Sequence, residues 1–134
     1  MAGKFNFNVV SPDGEVLAKE VSFVMARSEV GDLGILPHHS ALIASLAIGV
    51  VRYNENGSEM NLAVGGGFME VANNNVTILA KTAELAEKID LERAEKAKER
   101  AEKRLAEHND KINLARAEAA LKRAIARINA AGGR

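Results

Sequence analysis

Apolar and polar positions alternate through the first eighty residues and then change period. Phe5, Phe7 and Val9 alternate with Asn6 and Asn8, the two-residue repeat of a half-buried strand. Ser11-Pro12-Asp13-Gly14 follows; proline suits the second position of a type I turn and glycine closes it. Glu15 to Ala18 and Val21 to Ala26 read as short strands, the second rich in β-branched and aromatic side chains. Further strands are predicted at Leu46 to Tyr53, Asn61 to Val64, Phe68 to Val71 and Val76 to Ala80. Asn56-Gly57 marks a hairpin turn because both residues tolerate positive φ, and Asn73-Asn74-Asn75 turns the chain before the last strand. Short strands at this spacing predict a sandwich or barrel.

One stretch breaks the alternation, Gly31-Asp32-Leu33-Gly34-Ile35-Leu36-Pro37-His38-His39-Ser40-Ala41-Leu42-Ile43. Two glycines relax the backbone, Pro37 fixes φ and removes a donor, and Leu36 before it is pushed toward extended geometry. The expectation is a bent, non-helical corner that buries Ile35 and Leu36 and carries the imidazoles of His38 and His39 at its edge.

From Ala83 onward the strand formers give way to Ala, Glu, Lys and Arg, a helical composition. Glu92–Lys96, Glu99–Lys103 and Glu118–Lys122 are i,i+4 pairs in the favourable order. His108-Asn109-Asp110 interrupts the pattern, so two helices forming an antiparallel hairpin are expected. The second carries Leu114, Ala117, Leu121, Ala124 and Ile128 as a seam, the first Ala94, Ala97, Ala101 and Leu105. Alanine removes little area from water, so at about 25 cal/mol per Å² the hairpin gains little free energy by itself.

The formal net charge of zero over 134 residues gives no global pull toward nucleic acid or an anionic membrane. With no cysteine there are no disulfides or thiolate metal sites. The N-terminus has no apolar core of a signal peptide. The longest nearly apolar run, Ala41 to Val51, is far short of the roughly 20 residues of a spanning helix, so direct membrane insertion is not expected. Charge is uneven, however. Residues 1–82 hold five Lys/Arg and eight Asp/Glu, residues 83–134 thirteen and ten. Lys111 to Arg134 has six basic residues against Glu118 alone, a segment suited to an acidic partner.

Little in the chain looks like an active site. Gly65-Gly66-Gly67 lacks the Gly-Lys-Ser/Thr ending of a phosphate loop and precedes a strand, so it reads as a bulge or a close backbone approach. His38 and His39 are adjacent and would point to opposite faces of an extended backbone, and ligands for a metal are too few. No nucleophile turn accompanies His39-Ser40 and Asp32. At Ile89-Asp90-Leu91-Glu92-Arg93-Ala94, Asp90 would lie in the first helical turn and pair with Arg93. Arg93, Arg100 and Arg104 share one face of the first helix, and Arg116, Arg123 and Arg127 one face of the second. In a hairpin the two rows could converge, and guanidinium forks suit phosphate oxygens.

Gly31-Asp32-Leu33-Gly34-Ile35-Leu36-Pro37-His38-His39 resembles the hallmark segment of the epsilon subunit of bacterial F-type ATP synthase, and the resemblance extends over the whole chain. Ile89-Asp90-x-x-Arg93-Ala94 resembles the ATP-binding motif of those epsilon subunits whose tail binds nucleotide, and Leu121 to Arg127 resembles their downstream run. The resemblance implies that Ile89, Asp90, Arg93 and Ala94 line the adenosine side. It assigns Arg123 and Arg127, with Arg100, to the phosphates, and Glu84 to the neighbourhood of the adenine. It further implies a non-catalytic central-stalk subunit bound to the gamma subunit and the ring of c subunits. Its extended C-terminal helices would inhibit hydrolysis at the catalytic alpha and beta subunits. ATP is then a regulatory ligand, not a cofactor, that holds the helices folded down. The expected location is the cytoplasmic side of the bacterial cell membrane, peripheral and reached through the complex.

The expected architecture is α+β: a β-sandwich of short antiparallel strands over residues 1–84, which docks on gamma and the c-ring, and a regulatory, ATP-binding α-helical hairpin over residues 85–134. Two other classes stay open on the residues alone. One is a free-standing ATP sensor or adaptor without a rotary partner, which would purify without gamma. The other is a small β-domain hydrolase with an accessory coil, which would hydrolyse ATP in isolation.

Overall fold

The computed structural model describes residues 3–107 and 111–132. The expected interruption at His108-Asn109-Asp110 lies outside the described residues. The chain runs through β1 (Phe5–Ser11), β2 (Gly14–Val21), β3 (Phe23–Ser28), β4 (Gly31–Ile35), β5 (Leu42–Glu55), β6 (Ser58–Ala72), β7 (Asn75–Ala80) and β8 (Ala83–Leu85). A 3-10 turn (Ala86–Lys88) leads to α1 (Leu91–Glu107) and α2 (Lys111–Ala131). The strands form one ladder in the order β2-β1-β7-β6-β5-β3-β4, with β8 also on β6. Folded over as a sandwich, it encloses Phe7, Val24, Leu62, Met69 and Ile78, all at 0% exposure.

The turn chemistry is realised at three places. Gly14 has φ 119° after the β1–β2 turn, and the Asp13 amide donates to Ser11 Oγ at 3.3 Å. Asn56 and Gly57 have φ 52° and 84°, closing the β5–β6 hairpin. Asn73 and Asn74 have φ 50° and 59° between β6 and β7. Asn74 is also a clasp: its Oδ1 accepts from the His38 amide at 2.8 Å and its Nδ2 donates to the Lys4 carbonyl at 3.0 Å. The hallmark corner is thereby fastened to the start of the first strand.

Several expectations change. The pairing is antiparallel throughout except between β1 and β7, which run parallel; this pairing joins residues far apart in sequence, so no hairpin signal announces it. Gly31–Ile35 is a strand paired with β3, and Ile35 is buried but Leu36 is 60% exposed. His38, at φ 62°, is not extended, so the alternation argument for the two imidazoles does not apply. The strands expected at Asn61 to Val64 and Phe68 to Val71 are one strand, β6. Gly66 and Gly67, at φ 90° and 137°, let β6 bend without leaving the ladder. A Cβ on Gly67 would overlap the Leu79 carbonyl oxygen, and one on Gly65 would overlap Thr82 Oγ1. This is the close backbone approach expected of the triple glycine. Finally, Ala83–Leu85 is strand, not helix; it pairs with Leu62 to Val64, and Leu85 joins the sandwich core.

The alternation of buried and exposed residues fails within β6 at Leu62, Ala63 and Val64, which are all buried. Leu62 and Val64 belong to the sandwich core. Ala63 points the other way and packs against Ala126 and Ala130 of α2, beside Ile48, Val50 and Ile89. The second helix therefore lies on the outer face of β5 and β6.

Candidate functional site

α2 is packed on two sides. Ala126 and Ala130 meet the sheet, while Ala117 and Ala124, at 3% and 0% exposure, lie on the other side of the helix, where α1 packs. From α1 the buried side chains are Ala94 and Ala101. These are the seam alanines expected from the sequence, and they permit close helix approach. Of the three expected i,i+4 ion pairs, Glu92–Lys96 closes at 3.3 Å; the other two do not appear among the described residues.

At the junction of β6, β8 and α2 lies a small crevice lined by Gly65, Thr82, Glu84, Arg123 and Arg127 with the apolar Ala63 and Val64. Arg127 Nε donates to Glu84 Oε1 at 2.7 Å, with side-chain exposures of 28% and 40%. This ion pair ties α2 to the last strand of the sandwich. Arg123 lies over the bare Gly65 backbone, its Cδ 3.5 Å from where a Cβ would stand. Its guanidinium has no carboxylate partner among the described residues.

The other expected residues flank this crevice at different distances from it. Ile89 is half-buried against the cluster of Ala63, Ala126 and Ala130, fastening the entry to α1 onto α2. Asp90 precedes the helix instead of lying in its first turn. Its Oδ1 accepts from the Arg93 amide at 3.1 Å, which is N-capping of a free helical donor. The expected Asp90–Arg93 ion pair is thus replaced by a cap, because the short carboxylate reaches the backbone first, and the Arg93 side chain is exposed. Ala94, at 3% exposure, sits inside the helix seam, where it lets α2 come close instead of presenting its methyl to solvent. Arg100 is exposed on α1, and no hydrogen bond or ion pair among the described residues joins it to the crevice. The structure thus brings Glu84, Arg123 and Arg127 together, with Ile89 behind them. It leaves Arg93 and Arg100 on the free surface of α1.

Gly65 and Thr82 were not expected at this site. Their approach depends on the pairing of the β6 bend with the segment after β7, where the Gly65 amide donates to the Thr82 carbonyl at 2.8 Å and the Lys81 amide to the Gly66 carbonyl at 2.9 Å. Beyond Arg123 the crevice opens into a broad cleft of about 980 Å³ between α2 and β5–β6.

No cluster of three or more His, Cys, Asp or Glu side chains is placed to hold a metal among the described residues. Tyr53, on β5, is 2% exposed and stacks at a tilt on Phe7 with ring centroids 5.3 Å apart. Burial, with help from the negative charges of Glu87 and Glu55, pushes its phenol up to about 12.

Residues 4–86 match the family described as ATP synthase, Delta/Epsilon chain, beta-sandwich domain. Residues 87–132 match ATP synthase, Delta/Epsilon chain, long alpha-helix domain. The ATP synthase epsilon chain of Desulfitobacterium hafniense strain Y51 is 56% identical over 131 residues, covering 98% of both chains. That of Pelotomaculum thermopropionicum is 55% identical over 124 residues, 92% of both. That of Bacillus subtilis strain 168 is 52% identical over 98 residues, 73% of this chain and 74% of its own. Among solved structures, a chain of the Euglena gracilis mitochondrial ATP synthase (OSCP/F1/c-ring) has a TM-score of 0.81 at 26% identity, covering 96% of this chain and 81% of that one. A chain of the Tetrahymena thermophila mitochondrial ATP synthase central stalk and c-ring shares the fold, with a TM-score of 0.66 at 16% identity over 97% of this chain and 98% of that one.

Proposed function

The chain belongs to the ATP synthase delta/epsilon family, among the epsilon subunits of F-type enzymes, and from that premise we propose how its two parts work in the central stalk. The sandwich docks on the gamma subunit and the c-subunit ring and transmits rotation. The helical hairpin regulates. Packed on the sandwich it leaves hydrolysis free; extended along gamma toward the catalytic alpha and beta subunits it inhibits. The subunit itself carries out no catalysis and reaches the membrane only through the complex.

In this reading ATP selects the packed arrangement. The supporting observation is the crevice at which Glu84 of the sandwich meets Arg123 and Arg127 of α2. A ligand bound there touches both parts, and it binds well only when they are together. Such a ligand stabilises the packed form by RT ln(1 + [L]/Kd), about 2.7 kcal/mol at a hundredfold excess over Kd. Ile89, Asp90, Arg93 and Ala94 form the adenosine side, and Arg100 joins the phosphates from α1. Asp90 serves a double purpose in this reading: its carboxylate caps α1 and borders the adenosine.

Two experiments test this reading. A chain ending after Lys88 keeps β8 and its Leu85 in the core. It should co-purify with gamma as the full chain does, and failure of the folded fragment to bind would count against docking through the sandwich. Nucleotide titration of the full chain, with labels on the sandwich and near Ile128, should show the tail compacting on ATP. Arg93→Ala and Arg123→Ala should each weaken that response; compaction at unchanged ATP concentration in both would sink the nucleotide site.

A further inference from the structure

The cleft beyond Arg123 has a charge pattern that the crevice does not explain. Five cations line it: Arg27, Arg52, Lys81, Lys122 and Arg123. Arg27 Nε is 3.3 Å from Asp32 Oδ1, and Arg52 Nε is 3.9 Å from Glu59 Oε1. Lys81, Lys122 and Arg123 have no carboxylate partner among the described residues. On the acidic side the lining holds Asp32, already paired, and Glu29. Three unpaired cations therefore face one free carboxylate.

They are gathered around the β6 bend. Arg123 Cδ stands 3.5 Å from the Cβ position of Gly65, and Lys81 Cδ stands 3.9 Å from that of Gly66. The floor between the two side chains is bare peptide, because Gly65, Gly66 and Gly67 have no side chains. At Gly66 and Gly67 the positive φ and, at Gly67, the contact with Leu79 exclude any other residue without strain. Lys122, next to Arg123 on α2, lines the same cleft from the helix side. The glycine bend serves the turn of the sheet, and it also lets the Lys81 and Arg123 side chains pass close over the bare backbone.

We propose that this cleft is a seat for phosphate groups, with Lys81 from the sandwich and Lys122 and Arg123 from α2 as the cations that hold them. Ammonium and guanidinium donors on opposite walls of a cleft, without carboxylate partners among the described residues, suit a doubly charged oxyanion. An anion bound there bridges the two parts of the chain by charge, at a place separate from the Glu84–Arg127 ion pair. As to the ligand's identity the inference rests on the nucleotide reading: the phosphates are the outer ones of ATP, reaching past Arg123 to Lys81 and Lys122. The phosphate chemistry itself does not depend on the adenosine and is probed without it.

The test is isothermal titration of the full chain with ATP, AMP and pyrophosphate at fixed low salt, in wild type and in the Lys81→Ala/Lys122→Ala double variant. Both lysines are exposed, so folding of the variant is checked by the near-ultraviolet signal of Tyr53. The expected result is ATP and pyrophosphate binding weakened about tenfold in the variant, as for loss of charge-assisted contacts, with AMP binding unchanged. Binding of ATP with unaltered affinity in the variant overturns the phosphate seat and leaves the nucleotide reading standing. Pyrophosphate binding that needs the lysines, without ATP binding, supports the seat and overturns the nucleotide reading. Absence of binding by all three ligands to wild type overturns both.

Discussion

Phe7, Leu62, Met69 and Ile78 meet inside the sandwich at 0% exposure, whereas among the described residues the side chains buried between the two helices are Ala94, Ala101, Ala117 and Ala124. The same contrast holds where α2 meets the sheet, at Ala63, Ala126 and Ala130. A large core side chain contributes roughly 1.5–3 kcal/mol on burial, and an alanine methyl far less. The sandwich is thus held by apolar volume that nothing outside it can replace. The hairpin is held by close but shallow contacts and by the Glu84–Arg127 ion pair. The hairpin, held by alanine contacts, is therefore separable from its site at far smaller cost than any part of the sandwich core built from Phe, Leu and Ile.

The difference can be broken most sharply from the sandwich side. Phe7→Ala removes a buried ring that also stacks on Tyr53. It should lower unfolding stability by about 3–5 kcal/mol, seen as a shift of the denaturant midpoint. Loss of less than about 1 kcal/mol would mean that the sandwich core is not cooperative at this point.

Ala126→Glu should produce the opposite pattern. Residue 126 is 4% exposed against Ala63, and an unpaired carboxylate there costs several kcal/mol while α2 stays docked. Undocking avoids the cost. The label distance between the sandwich and Ile128 should therefore lengthen while the unfolding midpoint of the sandwich stays within about 0.5 kcal/mol of wild type. A large drop in that midpoint would show that the two parts unfold as one.

Tyr53 sharpens the comparison by pH. It is the sole tyrosine of a chain without tryptophan, so absorbance near 295 nm reports its ionisation alone. Its folded pKa of about 12 lies above the unfolded value of about 10. Stability from keeping the phenol neutral is fully present below pH 10 or so and is lost as pH rises through about 12. The titration should thus be delayed and coincide with alkaline unfolding of the sandwich. A midpoint near pH 10 with the fold intact would contradict the burial.

Glu84→Gln should have the smallest effect. The ion pair is partly exposed, so its removal is expected to shift the docking equilibrium of α2 by about 1 kcal/mol or less. Added salt should reproduce part of that shift in the wild type. A shift equal to that of Ala126→Glu would mean that charge, not packing, holds the tail.

The alternation of Phe5, Phe7 and Val9, the turn pairs Asn56-Gly57 and Asn73-Asn74, and the alanine seam were legible along the chain because each depends on neighbours within a few residues. Glu84, Arg123 and Arg127 were grouped through family resemblance, and the structure brings their side chains to one crevice. The same reading overlooked Gly65, Thr82 and Lys81, because what brings them to α2 is the matching of one bend to another fourteen or more residues away. The ion pair expected between Asp90 and Arg93 fails for a local reason: side-chain spacing predicts a partner, but the helix end offers Asp90 a nearer one in its own backbone.

By itself the sequence determined that a strand-rich part precedes a helical one, where the chain turns, and that the helical part would pack on alanine. Those features follow from periodicity, backbone freedom and side-chain volume, which are properties of short segments. Tertiary structure alone decided that β1 runs parallel to β7, that Ala83–Leu85 joins the sheet, and that α2 lies on β5 and β6. Alanines carry no direction: Ala126 and Ala130 read as an ordinary helical surface until Ala63 is set opposite them. The choice among faces with so little apolar area depends on what the rest of the molecule leaves uncovered, and that is settled only when the whole chain has packed.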